Sequence, residues 1–525
     1  MGLNSLDWTI IGAYLAAVTA FGLHFRAHHR TLRDYFLAGR DIPWWAISLS
    51  IVAAETSTLT IISIPGLAYE TNLGFLQVVF GYLLGRVIIA GILLPQYFRG
   101  ELFTAYQLIE RRFGPRLRSL TAGLFLVTRA AAEGVRVFAV AIVVKIALSS
   151  TLWGGNDFQR DLAAIAIVTL LTLVYTFEGG MTAVVWTDVV QLIIYLGGTI
   201  AGFFTLLHMV PGGWGAAAHI AGAAQKFRIF DFSPAFFRTY TFWSGLIGGA
   251  FFTTASHGTD QLIVQRLLAA RNERQSKLAL LSSGVMVLAQ FWLFLLVGVL
   301  LYVFYRLYPP AVPFTRTDAI FPVFIVTRMP HGISGLLIAA ILAAAMSNLS
   351  AALNALSATT VVDFWLRRAP ATPERRRLRL SRAATAAWGL ALFALALLAR
   401  HGGRVIEVGL ALASVAYGAL LGVFLLGVLT RRVQERSAMA AMLCGFFLNL
   451  YLWQGRNLGH WLQAHTGGHR AALVPGHDVP WTWYVPLGSA ATFAVGYGAS
   501  LLGGLGGEKF RAYAAVALRI RRTRS

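Results

Sequence analysis

The chain has one cysteine, Cys444, in 525 residues. That excludes an intrachain disulfide and any cysteine-based metal centre. Charge is scarce: 13% of residues are Asp, Glu, Lys or Arg, where a soluble domain carries about 25%. The acids are scarcest, 22 against 44 Lys and Arg. Met1–His24 has no basic n-region and no small-residue cleavage site but does carry Asp7, so it reads as a first membrane span and not as a leader peptide. Leu6 stands where a myristoylation motif needs Ser or Thr, which excludes that anchor on Gly2.

What is present is apolar. Hydrophobic residues make up 57% of the chain and the mean hydropathy is +0.65. Many runs reach the roughly 20 residues that cross a bilayer as helix. The expectation is an all-α polytopic membrane protein of about thirteen spans. They fall near 5–25, 44–70, 74–98, 119–150, 161–177, 181–208, 240–265, 278–306, 332–361, 383–400, 405–430, 437–455 and 483–504. Residues 1–505 then form a single transmembrane domain, with a basic tail over 506–525. Placing the N-terminus outside puts 29 of the 44 basic residues in inside loops and 11 in outside loops. That asymmetry predicts a multi-pass protein of the cell (plasma or inner) membrane with its C-terminus in the cytoplasm. The net charge of +22 is spread over short loops, which argues against nucleic acid. The outer loop 456–482 holds His460, His465, His469 and His477, in no zinc spacing.

One span is not plain grease. Ile51–Tyr69 contains Glu55, then Thr56, Ser57, Thr58, Thr60 and Ser63, then Pro65-Gly66. A carboxylate at bilayer depth costs about 2.5–3.5 kcal/mol on insertion scales and usually faces a cavity or pathway. Pro-Gly and hydroxyls allow a helix to unwind, and bare carbonyls hold cations in many transporters. Five spans later, Gly248–Gln261 also looks breakable, with Gly248, Gly249, Gly258, His257 and Asp260. Two interrupted helices at corresponding positions, crossing in opposite senses, point to an inverted-repeat transporter. In the ninth span Ala344, Ser347, Asn348, Ala351 and Asn354 share one small, oxygen-bearing face. Such a face suits an ion site or a close helix contact. Asp188 lies just inside the sixth span as a waypoint for a cation, or as an interfacial acid meeting water. Four cations fall within spans: Arg86, Arg129, Arg136 and Lys145. Helical spacing lets Arg129 and Arg136 share Glu133. Arg86 has no local partner and would suit a substrate carboxylate.

These segments together resemble the sodium/solute symporter family, which includes sodium–glucose, proline and pantothenate carriers. The marks are Asp34-Tyr-Phe-Leu-Ala-Gly-Arg40 before Pro43-Trp44-Trp45, the span ending Pro65-Gly66, and Gly179-Gly180-Met-Thr-Ala183 with Trp186-Thr-Asp188. Gly258-Thr-Asp-Gln261 with Val264-Gln-Arg266 and the Ala-Met-Ser face of the ninth span complete them. The resemblance covers about 5–455. It implies a LeuT-type core of inverted five-helix repeats over about 44–430, with alternating access, flanked by a first span at 5–25 and extra spans over 437–504. Carried over, the sodium site falls on Ala53, Thr56, Ala344, Ser347 and Asn348, where the family usually has Ser or Thr at the last. Glu55 occupies a position that is acidic in some members and Asn in others, and Asp188 matches the acid on the inner exit route. Thr60, Ser256 and His257 replace the sugar-binding pattern, so sugar is disfavoured.

The reading is therefore a sodium-coupled symporter of a small polar organic solute, with Na+ as coupling ion, no cofactor and no enzymatic activity. The solute is expected at Thr60, Ser256, His257 and Arg86, which would favour a carboxylate. Proton coupling through Glu55, His257 or Asp260 is the alternative within the same fold. A transporter-like membrane sensor is the alternative of another class.

Overall fold

The computed structural model describes residues 2–25, 41–99, 105–148, 156–175, 181–310, 314–400, 403–466 and 479–501. The motif Asp34–Arg40, Gly179-Gly180, His469, His477 and the tail 506–525 lie outside the described residues.

With no water at bilayer depth, each backbone N–H must find its partner within its own segment, and apolar runs become helices. The chain accordingly runs through α1 Ser5–Phe25, α2 Trp44–Glu55, α3 Thr58–Glu70, α4 Leu73–Phe98, α5 Ala105–Phe113, α6 Pro115–Leu148 and α7 Asp157–Tyr175. Next come α8 Met181–Met209, α9 Gly213–Ala223, α10 Phe242–Gly258, α11 Gln261–Leu268, α12 Glu273–Leu307 and α13 Ile320–Arg328. The last are α14 Ile333–Arg368, α15 Glu374–Ala399, α16 Val405–Leu429, α17 Glu435–Thr466 and α18 over 484–501. Among the described residues the sole β-type contact is an isolated bridge between Ile42 and Ala270. It ties the chain just before α2 to the chain just after α11, the two segments that flank the interrupted spans.

Among the described residues, seven helices are long and apolar enough to cross a membrane, and the α2–α3 pair makes an eighth. Helix α6 carries charges along its length, and α10–α11 is split into two shorter helices. The α2–α3 axes bend by 64°. The break falls at Thr56 and Ser57 and not at Pro65-Gly66, which lie inside α3. Pro-Gly serves packing there. Gly66 has no room for a Cβ against the Thr317 backbone, and Gly298 of α12 sits as tightly on the Pro65 carbonyl. The seventh span does break, into α10 and α11, with Thr259 and Asp260 between them. Asp260 caps α11 by accepting from Leu262 N at 3.0 Å. Gly248 and Gly249 are not the hinge. Gly245 and Gly249 of α10 lie against the α4 backbone at Gln77–Gly81, and Gly248 lies against Thr482. Small residues let helix backbones approach this closely.

Charged groups sort to the two ends of the bundle. At the arginine-rich end, Arg271 pairs with Asp41 at 2.7 Å, and Glu435 accepts from Arg116 N at 2.7 Å. At the opposite end, Lys226 donates to the terminal carbonyls of α3, Tyr69 O at 2.7 Å and Thr71 O at 2.9 Å. Burial pushes the Lys226 ammonium below the usual lysine range. The first helix is anchored to α14. Buried Asp7 accepts from Gly332 N at 2.7 Å, Ser334 Oγ at 3.0 Å and Gly335 N at 3.1 Å, and lies 2.6 Å from His331 Nδ1. That carboxylate caps the start of the helix bearing Ala344, Ser347 and Asn348.

Candidate functional site

Where α2 ends, two carbonyls lose their helical partners. Ser57 N turns to Glu55 O at 3.1 Å and Thr60 N to Ser57 O at 2.9 Å. The ladder therefore does not close on Ala53 or Thr56, the two carbonyls expected to face sodium. Both residues are buried. Thr56 Oγ1 accepts from Gln290 Nε2 of α12, a partner 234 positions away that local spacing cannot show. The start of α3 meets α14 through Thr58 Oγ1, which donates to Ile341 O at 3.2 Å. Ala344 is buried, while Ser347 and Asn348 are half-buried. Asn348 borders the same cavity as Glu55 and Ser57.

That cavity, of about 170 Å³, lies between the broken spans, α6, α14 and α16. Thr60, Ser256 and His257 all line it, so the three expected solute contacts come together. At its upper end stand aromatic rings. Phe75 stacks on Phe291 at 5.4 Å, Tyr82 on Phe252 at 6.2 Å, and Phe252 meets Tyr417 edge-on at 5.5 Å. The lining continues past Tyr106, Leu262, Ile263 and Leu420 to Arg266, toward the arginine-rich end. The rings were not singled out in the sequence because aromatic residues at helical spacing look like ordinary core.

The charges are paired. Arg86, 1% exposed, forms an ion pair with Glu55. Its Nε donates to Ser283 Oγ at 3.3 Å, and its Nη1 to Tyr82 O at 3.3 Å. Arg86 is thus not the unpartnered arginine its sequence neighbourhood suggests. It is not among the cavity-lining residues, whereas Glu55 and His257 are. His257 Nε2 lies 3.4 Å from both Glu55 and Arg86, and its Nδ1 is 2.9 Å from Ser256 Oγ. Asp188 is likewise no free acid. Buried, it accepts from Ser50 Oγ at 2.6 Å and Arg266 Nη2 at 2.9 Å.

Glu133 is shared as its helical spacing predicts. Its Oε1 accepts from Arg129 at 2.9 Å and Arg136 at 2.6 Å. Arg129 also reaches Asp260 at 3.5 Å, and Tyr417 donates to Asp260 at 3.0 Å. This cluster joins α6, the α10–α11 break and α16. Both Arg129 and Arg136 line the cavity, and Arg136 keeps 34% of its side chain exposed. Lys145 pairs with Asp157 at 2.5 Å and Asp161 at 2.7 Å, away from the cavity. Among the described residues no cluster of His, Cys, Asp and Glu could hold a transition metal.

Comparison with known proteins agrees with this architecture. The sodium:solute symporter family profile matches residues 35–445. The human (Homo sapiens) sodium/iodide cotransporter is 28% identical over 469 residues, covering 86% of this chain and 70% of that one. The sodium/sialic acid symporter SiaT of Proteus mirabilis is 27% identical over 484 residues, covering 89% and 94%. The sodium-coupled monocarboxylate transporter 1 of Xenopus laevis is 26% identical over 462 residues, covering 86% and 72%. Among solved structures, a substrate-bound, outward-open Na+-coupled sialic acid symporter superposes with a TM-score of 0.77 at 25% identity, over 95% of this chain and 98% of that one. The inward-facing conformation of Mhp1 gives a TM-score of 0.53 at 12% identity, over 88% and 90%, a likeness of fold alone. The chain belongs to the sodium:solute symporter family: it is a sodium-coupled solute symporter with the LeuT-type fold, a transporter and not an enzyme.

Proposed function

We propose that this symporter carries a small carboxylate-bearing solute, with the N-terminus outside and the C-terminus in the cytoplasm. The observation that carries the solute class is Arg136. Its guanidinium borders the cavity, one N–H is committed to Glu133, and about a third of the side chain stays exposed. A planar guanidinium recognises carboxylate through paired N–H donors. Ser57 and Thr60 add hydroxyls along the same wall, and Ser256 and His257 add polar atoms on α10. The three relatives are named for iodide, sialic acid and monocarboxylates, and each of these is an anion at neutral pH. Arg86 does not take this role, because Glu55 occupies it.

Sodium binds, on this reading, between the carbonyls of Ala53 and Thr56 and the oxygens of Ala344, Ser347 and Asn348. Ion and solute are coupled because each favours the same one of two alternating states. The carboxylate that the proton-driven alternative relies on most, Glu55, is held in an ion pair with Arg86.

A thermal-unfolding screen of purified protein with monocarboxylates, sialic acid, sugars and amines, in sodium or choline chloride at fixed pH, tests both parts. A ligand of the folded state raises the melting temperature. Carboxylates are expected to do so in sodium alone, and Arg136→Ala to abolish the shift. Stabilisation by neutral sugars alone would overturn the solute class. Equal stabilisation in choline would overturn the coupling.

A further inference from the structure

The segment between α9 and α10 is built the wrong way round for a loop in water. It descends along α4 instead of standing clear of it. Phe230 stacks on Phe80, two turns or about 10 Å into that helix, with ring centroids 5.9 Å apart. Its polar backbone atoms turn inward. Buried Gln77 of α4 accepts from Asp231 N at 2.9 Å and donates to Tyr240 O at 3.1 Å. The Asp231 carboxylate accepts from Ser233 N at 3.1 Å, and the Asp231 carbonyl from Phe242 N at 2.7 Å. Irregular backbone at membrane depth persists only where its polar groups are satisfied in this way. The rings turn outward instead. Phe232 is 60% exposed, and Phe230, Phe237 and Trp243 are exposed beside it. Phe230, Phe232 and Phe242 form one row, with centroids 5.6 and 5.0 Å apart. That row runs on into exposed apolar stripes of two helices. Leu84 and Val87 follow Phe80 on one face of α4, and Ile247 follows Trp243 on α10. At the edge of the row, Arg228 and Arg238 share the one carboxylate of Asp231, at 3.6 and 3.4 Å. More than half of each arginine side chain stays exposed.

We propose that residues 228–243 form a docking surface for phospholipid, in the leaflet at the end opposite the arginine-rich one. Aromatic rings settle where acyl chains meet headgroups, and two guanidiniums on one carboxylate leave positive charge for a phosphate. Continuity with the apolar stripes of α4 and α10, together with that charge, selects lipid over a second copy of the chain as the occupant. Because α10 starts within this surface, at Phe242, the first half of the interrupted seventh span is moored to the bilayer.

Two measurements test the surface and its headgroup. In a Cys444→Ala background, Phe232→Cys carries a nitroxide in phosphatidylcholine bilayers. Leu84→Cys serves as the apolar-stripe reference and Arg274→Cys, exposed at the arginine-rich end, as the water reference. Collisions at Phe232 with oxygen are expected to outweigh those with a water-soluble nickel chelate, as at Leu84. A ratio matching Arg274 would overturn the proposal, and so would concentration-dependent dipolar broadening, which would place a second copy there. Phosphatidylglycerol added to the protein in detergent is expected to raise the melting temperature more than diacylglycerol, which lacks the phosphate. The double variant Arg228→Gln, Arg238→Gln is expected to lose that difference. Equal shifts from the two lipids in wild type, or a difference that the double variant keeps, would overturn the role of the arginines.

Discussion

Among the described residues, Arg86 is the largest fully enclosed side chain. It lies 31 positions from Glu55 and 171 from His257. Gly284 of α12 makes space for it: a Cβ there would come within 2.8 Å of Arg86 Cδ. Removing one partner of a buried ion pair costs about 3–5 kcal/mol, because the other charge is left uncompensated. Replacing both is much cheaper. Glu55→Gln and Arg86→Leu are each expected to lower the melting temperature sharply in detergent. The double variant is expected to recover a large part of the loss. Additive losses would show that the two side chains do not act as a pair. The pair also shows what was hidden in the sequence. Glu133 and its arginines were legible because three- and four-residue spacings on one helix are geometry any reader can apply. Glu55 with Arg86, Asp188 with Arg266 and Thr56 with Gln290 were not, since each joins different helices and depends on their rotation and register.

At the scale of elements, the two interrupted spans organise everything else. Each break places unpaired backbone or a capping carboxylate beside the cavity: Ala53 and Thr56 on one side, Asp260 on the other. The helices around them are held by close glycine contacts. A Cβ on Gly249 would meet the Val78 carbonyl and lie 3.1 Å from Gly81 Cα. Backbone cannot yield as a side chain can, and overpacking costs about 1–3 kcal/mol. Gly249→Ala is therefore expected to lower the melting temperature, whereas Gly12→Ala, with nothing within 4 Å of its Cβ, is not. Equal effects of the two would sink the close-packing account. The composition of 51–69 correctly announced an interrupted helix. It misplaced the break, because Pro65 and Gly66 are also what close packing on Thr317 and α12 requires. Gly248 and Gly249 misled in the same way.

For the molecule as a whole, contacts at the two ends of the bundle define a state. At the end opposite the arginines, Tyr240 donates to Glu407 at 2.7 Å, and Arg404 pairs with Glu70 at 3.0 Å and Glu407 at 3.1 Å. These bonds join the ends of α3 and α16 to the segment before α10, above the aromatic rings. The cavity extends the other way. Glu407→Ala should loosen that end. In a Cys444→Ala background, a cysteine at Thr60 should react faster with an impermeant thiol reagent applied from the Glu407 side, and one at Leu262 more slowly from the arginine-rich side. Cys444 is exposed, so its replacement removes the background reaction. Unchanged rates at both positions would show that Glu407 does not bias the two states.

By itself the sequence determined the solvent in which this chain folds, its helical class and its interrupted second span. Those follow from apolar run length, from the cost of unpaired backbone in lipid and from composition within one helix. It also placed Thr60, Ser256 and His257 near one another through a likeness of motifs. Tertiary structure alone decided which charges on different helices neutralise each other and which arginines line the cavity. The reason is that helix–helix register arises from side-chain packing over the whole bundle, and no local spacing encodes it.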